Sequence, residues 1–289
     1  VEKHIVAGSL KRNRQLRKIL SYCVLTCVGI IMIYPFIWMF FGSFKTNAEI
    51  FGSQNLLPNS FSFDAFVKGW NGVGQYNFTD FFKNSIMIVV PVVFFTLVSC
   101  SLVAYGFARF RFPMKKLLFG LMISTLMLPD AVIIIPRYLL FNKLGWLNTY
   151  KPFIVPAMFA CYPFFIFMLV QFLRGIPREL DEAAEIDGCG SFRLFVRILL
   201  PLMKPALFSA GLFQFMWTWN DFFNPLIYIN SVKKFPLALG LRISLDTSST
   251  VAWDQVMAMS LVSILPVVLL FFFAQKYFVE GIATSGLKG

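Results

Sequence analysis

The sequence predicts an all-α membrane protein with six transmembrane helices, and three observations predict it. Of the 289 residues, 58% are hydrophobic and 14% charged, with a mean hydropathy of +0.71. Ordinary soluble domains are about 25% charged, so this chain cannot cover its surface against water. Next, six apolar stretches approach the roughly 20 residues that a helix needs to cross a bilayer: 19–41, 85–107, 117–135, 153–173, 206–229 and 256–274. Four of the six lack any Asp, Glu, Lys or Arg, and the other two hold one each, Asp130 and Asp221. Finally, Lys and Arg concentrate on one side. With the N-terminus inside, the inner segments 1–18, 108–116, 174–205 and 275–289 hold 17 of the 26 basic residues in 74 positions, while the 86 outer positions hold nine. That bias places both termini in the cytoplasm.

The N-terminal segment 1–18 carries Lys11, Arg12, Arg14, Arg17 and Lys18, anchoring charges for the first span. It is too basic, and the following apolar stretch too long, for a cleaved signal peptide, so span 1 is expected to stay in the protein. Arg109, Arg111, Lys115 and Lys116 flank spans 2 and 3 in the same way. The net charge of +12 is thus a topological signal rather than a nucleic-acid one. Of five cysteines, Cys23, Cys27, Cys100 and Cys161 lie in spans and Cys189 in a loop. Cys23 and Cys27 share a helix face without histidine or carboxylate partners, so they read as small apolar side chains, and no disulfide is expected. Prolines recur in or beside the spans at 35, 91, 129, 136, 156, 163, 225 and 266. Such prolines serve packing geometry, or they break helices that line a pathway.

Several chemistries are excluded. The single histidine, His4, cannot build a triad or a histidine-rich metal site, and no GxxxxGK[ST] loop is present. Any nucleotide hydrolysis must belong to another chain. Asp130 and Asp221 are functional candidates as intramembrane carboxylates, although an interfacial or wet position accounts for them better than a proton relay does.

The segment 174–205 reads as two short helices around a glycine turn. Pro177 suits a first helical position, and Glu179, Asp181 and Glu182 oppose the positive end of the helix dipole. Leu180, Ala183, Ala184 and Asp187 fall on one face. Gly188 and Gly190 end this helix, Ser191 caps the next, and Phe192, Phe195 and Leu199 form its apolar stripe. The small residues Ala183 and Ala184 leave room for close approach of another surface, which suits a docking element; a hairpin lying on the bilayer fits the same residues.

Glu182-Ala183-Ala184, then Asp187-Gly188, then Ile198, Leu200, Pro201 and Pro205 resemble the EAA loop of permeases from binding-protein-dependent ABC importers. Further features resemble the sugar-importing, maltose and lactose branch along nearly the whole chain. They are Phe44-Lys45-Thr46, Ala104-Tyr105-Gly106 with Ala108-Arg109, Leu128-Pro129 through Ile135-Pro136-Arg137-Tyr138, Leu144-Gly145 with Asn148-Thr149, Trp219-Asn220-Asp221-Phe222 with Pro225, and the tail 281–289. Cys189 stands where the family usually has Ala. The resemblance implies a type I ABC importer permease fold over 19–289, with an EAA loop at 174–205, a cytoplasmic tail at 275–289 and no catalytic residues. It implies that Glu182 is the acidic contact to a separate ATPase subunit, Ala183 and Ala184 the close-packed face, and Asp187-Gly188 the turn. Implied partners are a second permease, two ATPase subunits holding ATP and Mg, and an extracytoplasmic binding protein; this chain itself needs no cofactor.

On the substrate side, Trp217, Trp219, Asn220, Asp221 and Asn224 combine aromatic faces with amides and a carboxylate, a mixture suited to sugar rings. Aromatic belts at the lipid interface use the same residue types. The outer segment 43–84 is a candidate surface for the binding protein, or a passive connector. The nine outer basic residues would tolerate acidic oligosaccharides such as uronates without selecting them over neutral sugars. Two other classes remain: an ion-coupled secondary transporter using Asp130 or Asp221, which lacks an evident internal repeat, and an intramembrane enzyme, which the scarcity of acid–base groups disfavours.

Overall fold

The computed structural model describes residues 2–72, 76–246 and 251–286, with side chains described within 14–273. The chain divides into two units, one formed by residues 1–69 with 250–261 and the other by 70–249 with 262–289.

The first unit begins with α1 (Glu2–Gly42). Within it, residues Arg14–Gly42 form a 29-residue apolar candidate span, none of whose most apolar window is buried. A helix left bare on every side is built for lipid or for another chain. Short α2 (Asn47–Gly52) follows, started by a reciprocal cap: Thr46 Oγ1 accepts from Glu49 N–H at 3.3 Å and Glu49 Oε2 accepts from Thr46 N–H at 3.0 Å. Asn47 Nδ2 donates to Val251 O at 2.9 Å, and Phe44 gathers Phe61, Phe63 and Phe66 at 5.4 to 5.5 Å. Helix α3 (Asp64–Asn71) buries Ala65. Phe51, Leu57, Phe61, Phe63 and Val67 remain exposed, so the 43–84 segment is more apolar at its surface than its sequence suggests.

The second unit is built on α4 (Phe78–Arg109), a 32-residue helix started by Asn77, whose Oδ1 accepts from Asp80 N–H at 3.1 Å. Ile88, Val92, Thr96, Cys100, Ala104 and Ala108 recur every fourth residue and are all buried. This single row, small towards its end, lets neighbouring helices approach closely. Against it pack α7 (Lys151–Met158), α8 (Pro163–Gly175), α12 (Lys204–Trp219) and α14 (Leu237–Asp246). Between them in sequence run α5 (Lys115–Ser124) and α6 (Asp130–Lys143), then α9 (Glu179–Ile186), α10 (Ser191–Leu194), α11 (Leu200–Leu202) and, after α12, α13 (Phe223–Tyr228). The last helix is α15 (Trp253–Gly286), whose Trp253–Phe273 part is long and apolar enough to span. Among the described residues there is no strand.

Among the described residues four helical stretches are long and apolar enough to cross a membrane, and the number is up to six if each of two bent pairs counts as one span. The bends correct the sequence reading. Residues 117–135 are not one straight helix: α5 and α6 meet at 104° around Leu128-Pro129, where proline forces the residue before it out of the helical region. Span 4 extends over Lys151–Gly175 but is interrupted at 159–162, with Ala160 at φ +55°. Span 5 does not run to 229. Helix α12 ends at Trp219, residues 220–222 are non-helical, and α12 instead pairs with the preceding Ser191–Leu202 at a 75° bend.

The segment after α13 is secured by distant polar groups. Asn148, at φ +56°, donates its N–H to Tyr228 O at 2.7 Å and accepts at Oδ1 from the N–H groups of Asn230 and Ser231. Asn84 Nδ2 donates to the carbonyls of Lys233 and Phe235, at 2.8 and 3.0 Å, and Ser85 Oγ accepts from Leu237 N–H at 2.8 Å. In a low-dielectric interior, irregular backbone persists only with such replacement partners.

Candidate functional site

Two places gather the polar side chains. The first is the 174–205 hairpin. Helix α9 starts at Glu179 with Arg178 as its cap, so Pro177 lies outside it, and Gly190 rather than Ser191 caps α10. Gly188 makes the turn at φ +74°, a conformation that glycine adopts without penalty. The second arm is interrupted by a π-helical turn, Phe195–Leu199. Ala184 is buried, whereas Glu182, Ala183, Asp187 and Gly188 are exposed. The predicted stripe of the second arm is therefore split, with Phe195 and Leu199 in the core and Phe192 73% exposed, and on the first arm Ile186 is 86% exposed.

Asp181 points away from this surface. Its Oδ2 lies 2.8 Å from Arg109 Nε at the end of α4, with both side chains nearly covered. Burial pushes the Asp181 carboxyl above the ordinary aspartate range, and Arg109 and Arg178 pull it back.

The second place is the break after α12. Asp221 accepts from Asn224 twice, Oδ1 from the backbone N–H at 3.1 Å and Oδ2 from Nδ2 at 2.9 Å, which starts α13 in the manner of an N-cap. Asn224 Oδ1 in turn accepts from Arg137 Nη2 at 3.4 Å, and Arg137 Nε donates to the Tyr228 hydroxyl at 2.9 Å. Asp130 Oδ1 stands 3.9 Å from Arg137, with its own side chain 86% exposed. Helices α6 and α13 are thereby joined through one arginine. A water-sized cavity lined by Ser85, Phe153, Thr218, Asp221 and Pro225, among others, adjoins the cluster.

The predicted pathway residues separate here. Asp221 and Asn224 belong to the cluster, and Asn220 is exposed with Nδ2 on Met216 O at 2.9 Å. Trp219 is buried, stacks on Phe215 at 5.4 Å and 15°, and donates Nε1 to Ser263 O at 3.0 Å. It is a packing residue, unavailable as a platform. Trp217 is half exposed and leans on Phe164 and Phe165, each at 5.1 Å. Arg137 and Tyr228 had been given no role by the sequence reading. The available signal was Asp130 and Arg137 seven residues apart, two turns along the same helix face. Among the described residues, no three His, Cys, Asp or Glu come together to hold a metal ion.

Comparison with known proteins places the chain in a lineage. Residues 98–284 match the family described as the inner membrane component of binding-protein-dependent transport systems. The probable ABC transporter permease protein YurM of Bacillus subtilis is 35% identical over 261 residues, covering 90% of this chain and 85% of its own. The arabinooligosaccharides transport system permease protein AraQ of Halalkalibacterium halodurans is 33% identical, covering 91% and 93%. The trehalose/maltose transport system permease protein MalG of Thermococcus litoralis is 30% identical, covering 96% and 99%. The crystal structure of a bacterial ABC transporter involved in the import of the acidic polysaccharide alginate contains a chain of the same fold, with TM-score 0.82 and 23% identity, covering 92% of this chain and 98% of that one. The chain therefore belongs to the inner-membrane components of binding-protein-dependent transport systems and is an ABC transporter permease subunit, multi-pass and non-catalytic, with the type I importer fold.

Proposed function

We propose that this permease moves a sugar or oligosaccharide into the cell by alternating access, driven by separate ATPase subunits that dock on the 174–205 hairpin. The observation that carries the docking role is the hairpin's outer surface. Glu182, Ala183, Ile186 and Phe192 lie bare on it, while Ala184, Leu194 and Phe195 anchor it from beneath. An apolar rim beside an acidic group fits a cleft on a protein partner. The positive-inside count puts this hairpin and both termini in the cytoplasm. A coupling role for the 275–289 tail concerns residues whose side chains, and from 287 onward whose backbone, lie outside the described residues.

Three sugar-importing or sugar-named relatives and neighbours support the substrate class. Uronates fall within it, since nine basic residues sit in the outer segments. The cluster around Arg137 does not select for them, because Asp130 and Asp221 lie close to the one guanidinium. The water-sized cavity beside Asp221 cannot hold a sugar ring, which favours a pathway shared with a second permease. ATP and Mg belong to the ATPase pair, and an extracytoplasmic binding protein delivers the sugar.

The test is Glu182→Lys in the assembled transporter. It should release the ATPase subunits and abolish uptake while the chain stays in the membrane; retained subunits with normal uptake would refute the docking role. Calorimetry of the associated binding protein against neutral and uronic oligosaccharides checks the substrate class. Binding of amino acids, peptides or metal ions alone would overturn it.

A further inference from the structure

We propose that Arg109 and Tyr105 are positioning residues that clasp both arms of the hairpin to α4 and so transmit its movement into the membrane core. This role rests on the reading that the hairpin docks an ATPase.

Both residues lie in the last two turns of α4, and each holds a different arm. On the first arm, Arg109 Nε meets Asp181 Oδ2 at 2.8 Å, and Arg109 Nη2 donates to Ile176 O at 3.1 Å. Arg178 returns the contact, its Nη2 donating to Ala108 O at 3.4 Å. On the second arm, the Tyr105 hydroxyl donates to Ser191 O at 2.9 Å, and its ring stacks on Phe195 at 4.9 Å and 28°. Ala104 and Ala108 of α4 are buried in the same apolar cluster as Tyr105, Ala184, Leu194 and Phe195.

The physical consequence is stiffness. The Arg109 and Asp181 side chains are 7% and 14% exposed, so pulling them apart would strand two charges in a poorly hydrated place. Sliding of the hairpin over α4 is therefore costly, and rotation of hairpin and α4 as one body is cheap. Helix α4 also carries the core of the second unit through its buried row, and it holds Asn84 and Ser85, which grip the segment after α13. One continuous helix thus runs from the clasp to the segment after α13, the kind of connected element through which coupling travels. Glu182 belongs to the outer surface and Arg109 to the inner one, so docking and transmission are separable.

The experiment uses the complete transporter in proteoliposomes. Co-purification of the ATPase subunits, ATP hydrolysis with and without loaded binding protein, and sugar taken up per ATP are measured together. Arg109→Gln and Asp181→Asn should keep the ATPase subunits bound and hydrolysing, while uptake per ATP falls about tenfold, within the usual size of a coupling free energy. The exchange Arg109→Asp with Asp181→Arg should recover much of the loss. Tyr105→Phe, which keeps the ring stack and removes only the hydroxyl, should lower the ratio by a smaller factor. Wild-type coupling in both Arg109→Gln and Tyr105→Phe overturns the clasp, and so does loss of ATPase subunits from Arg109→Gln equal to that in Glu182→Lys. Retention of subunits and uptake in Glu182→Lys instead removes the docking role beneath it.

Discussion

The hairpin at 174–205 and the break after α12 are both polar interruptions of an apolar fold, yet they use their polar groups in opposite ways. In the break, Asp221, Asn224, Arg137 and Tyr228 satisfy one another, and a closed network of this kind fixes a bend. In the hairpin, Asp181 and the backbone at Ile176 and Ser191 are held from α4, which leaves Glu182, Ile186 and Phe192 turned outward and unmatched. Self-satisfied polarity is architectural. Polarity anchored on one side and bare on the other is what the proposed docking requires.

That contrast can be broken most severely at Gly188. Its φ of +74° lies in open space, where an added Cβ would meet nothing within 4 Å. Backbone strain of about 1–2 kcal/mol, not collision, is the obstacle to a β-branched residue. Gly188→Val should misdirect the hairpin and abolish sugar uptake with the chain still in the membrane, whereas Gly188→Asn, which tolerates this conformation, should retain uptake. Equal uptake in both variants would show that the turn geometry does not matter.

A second effect separates the two tryptophans. Trp219→Ala empties a packed site and should cost about 3–5 kcal/mol, read as a large fall in thermal unfolding temperature in detergent. At the break itself, Arg137→Leu leaves the buried Tyr228 hydroxyl and Asn224 Oδ1 without a donor or partner and should cost about 1–3 kcal/mol. ATPase co-purification should be unchanged in that variant; its loss would contradict the division of labour between the two regions. The smallest change in stability is expected from Trp217→Phe, under about 1 kcal/mol, since the indole is half exposed. If Trp217 meets the sugar, uptake in that variant should show a raised KM with kcat little altered, and an unchanged KM leaves it a lipid-facing aromatic.

Much of the fold was legible because the signals were local. Apolar length marked the spans, the basic residues set their expected orientation, and Glu182-Ala183-Ala184 followed by Gly188 marked the hairpin without any knowledge of its surroundings. Span ends failed where hydropathy and backbone geometry disagree. Residues 117–135 and 206–229 are predominantly apolar, each with a single carboxylate, so hydropathy continues across Pro129 and across 220–222 while the helix does not. The predicted pathway failed in part for a similar reason. Trp217 and Trp219 are two residues apart and so point to different sides of one helix, and only packing reveals that Trp219 faces Phe82 and Phe215.

By itself the sequence determined the solvent, the approximate number of crossings and the presence of a polar hairpin at 174–205. These depend on sums of transfer free energy and on short-range backbone preference, which need no partner to be evaluated. Tertiary structure alone decided which polar groups meet: Arg109 with Asp181 across 72 positions of chain, and Arg137 with Tyr228 across 91. Those pairings depend on where helices bend and pack, and a buried charge finds its partner only after the apolar surfaces have set the distance between them.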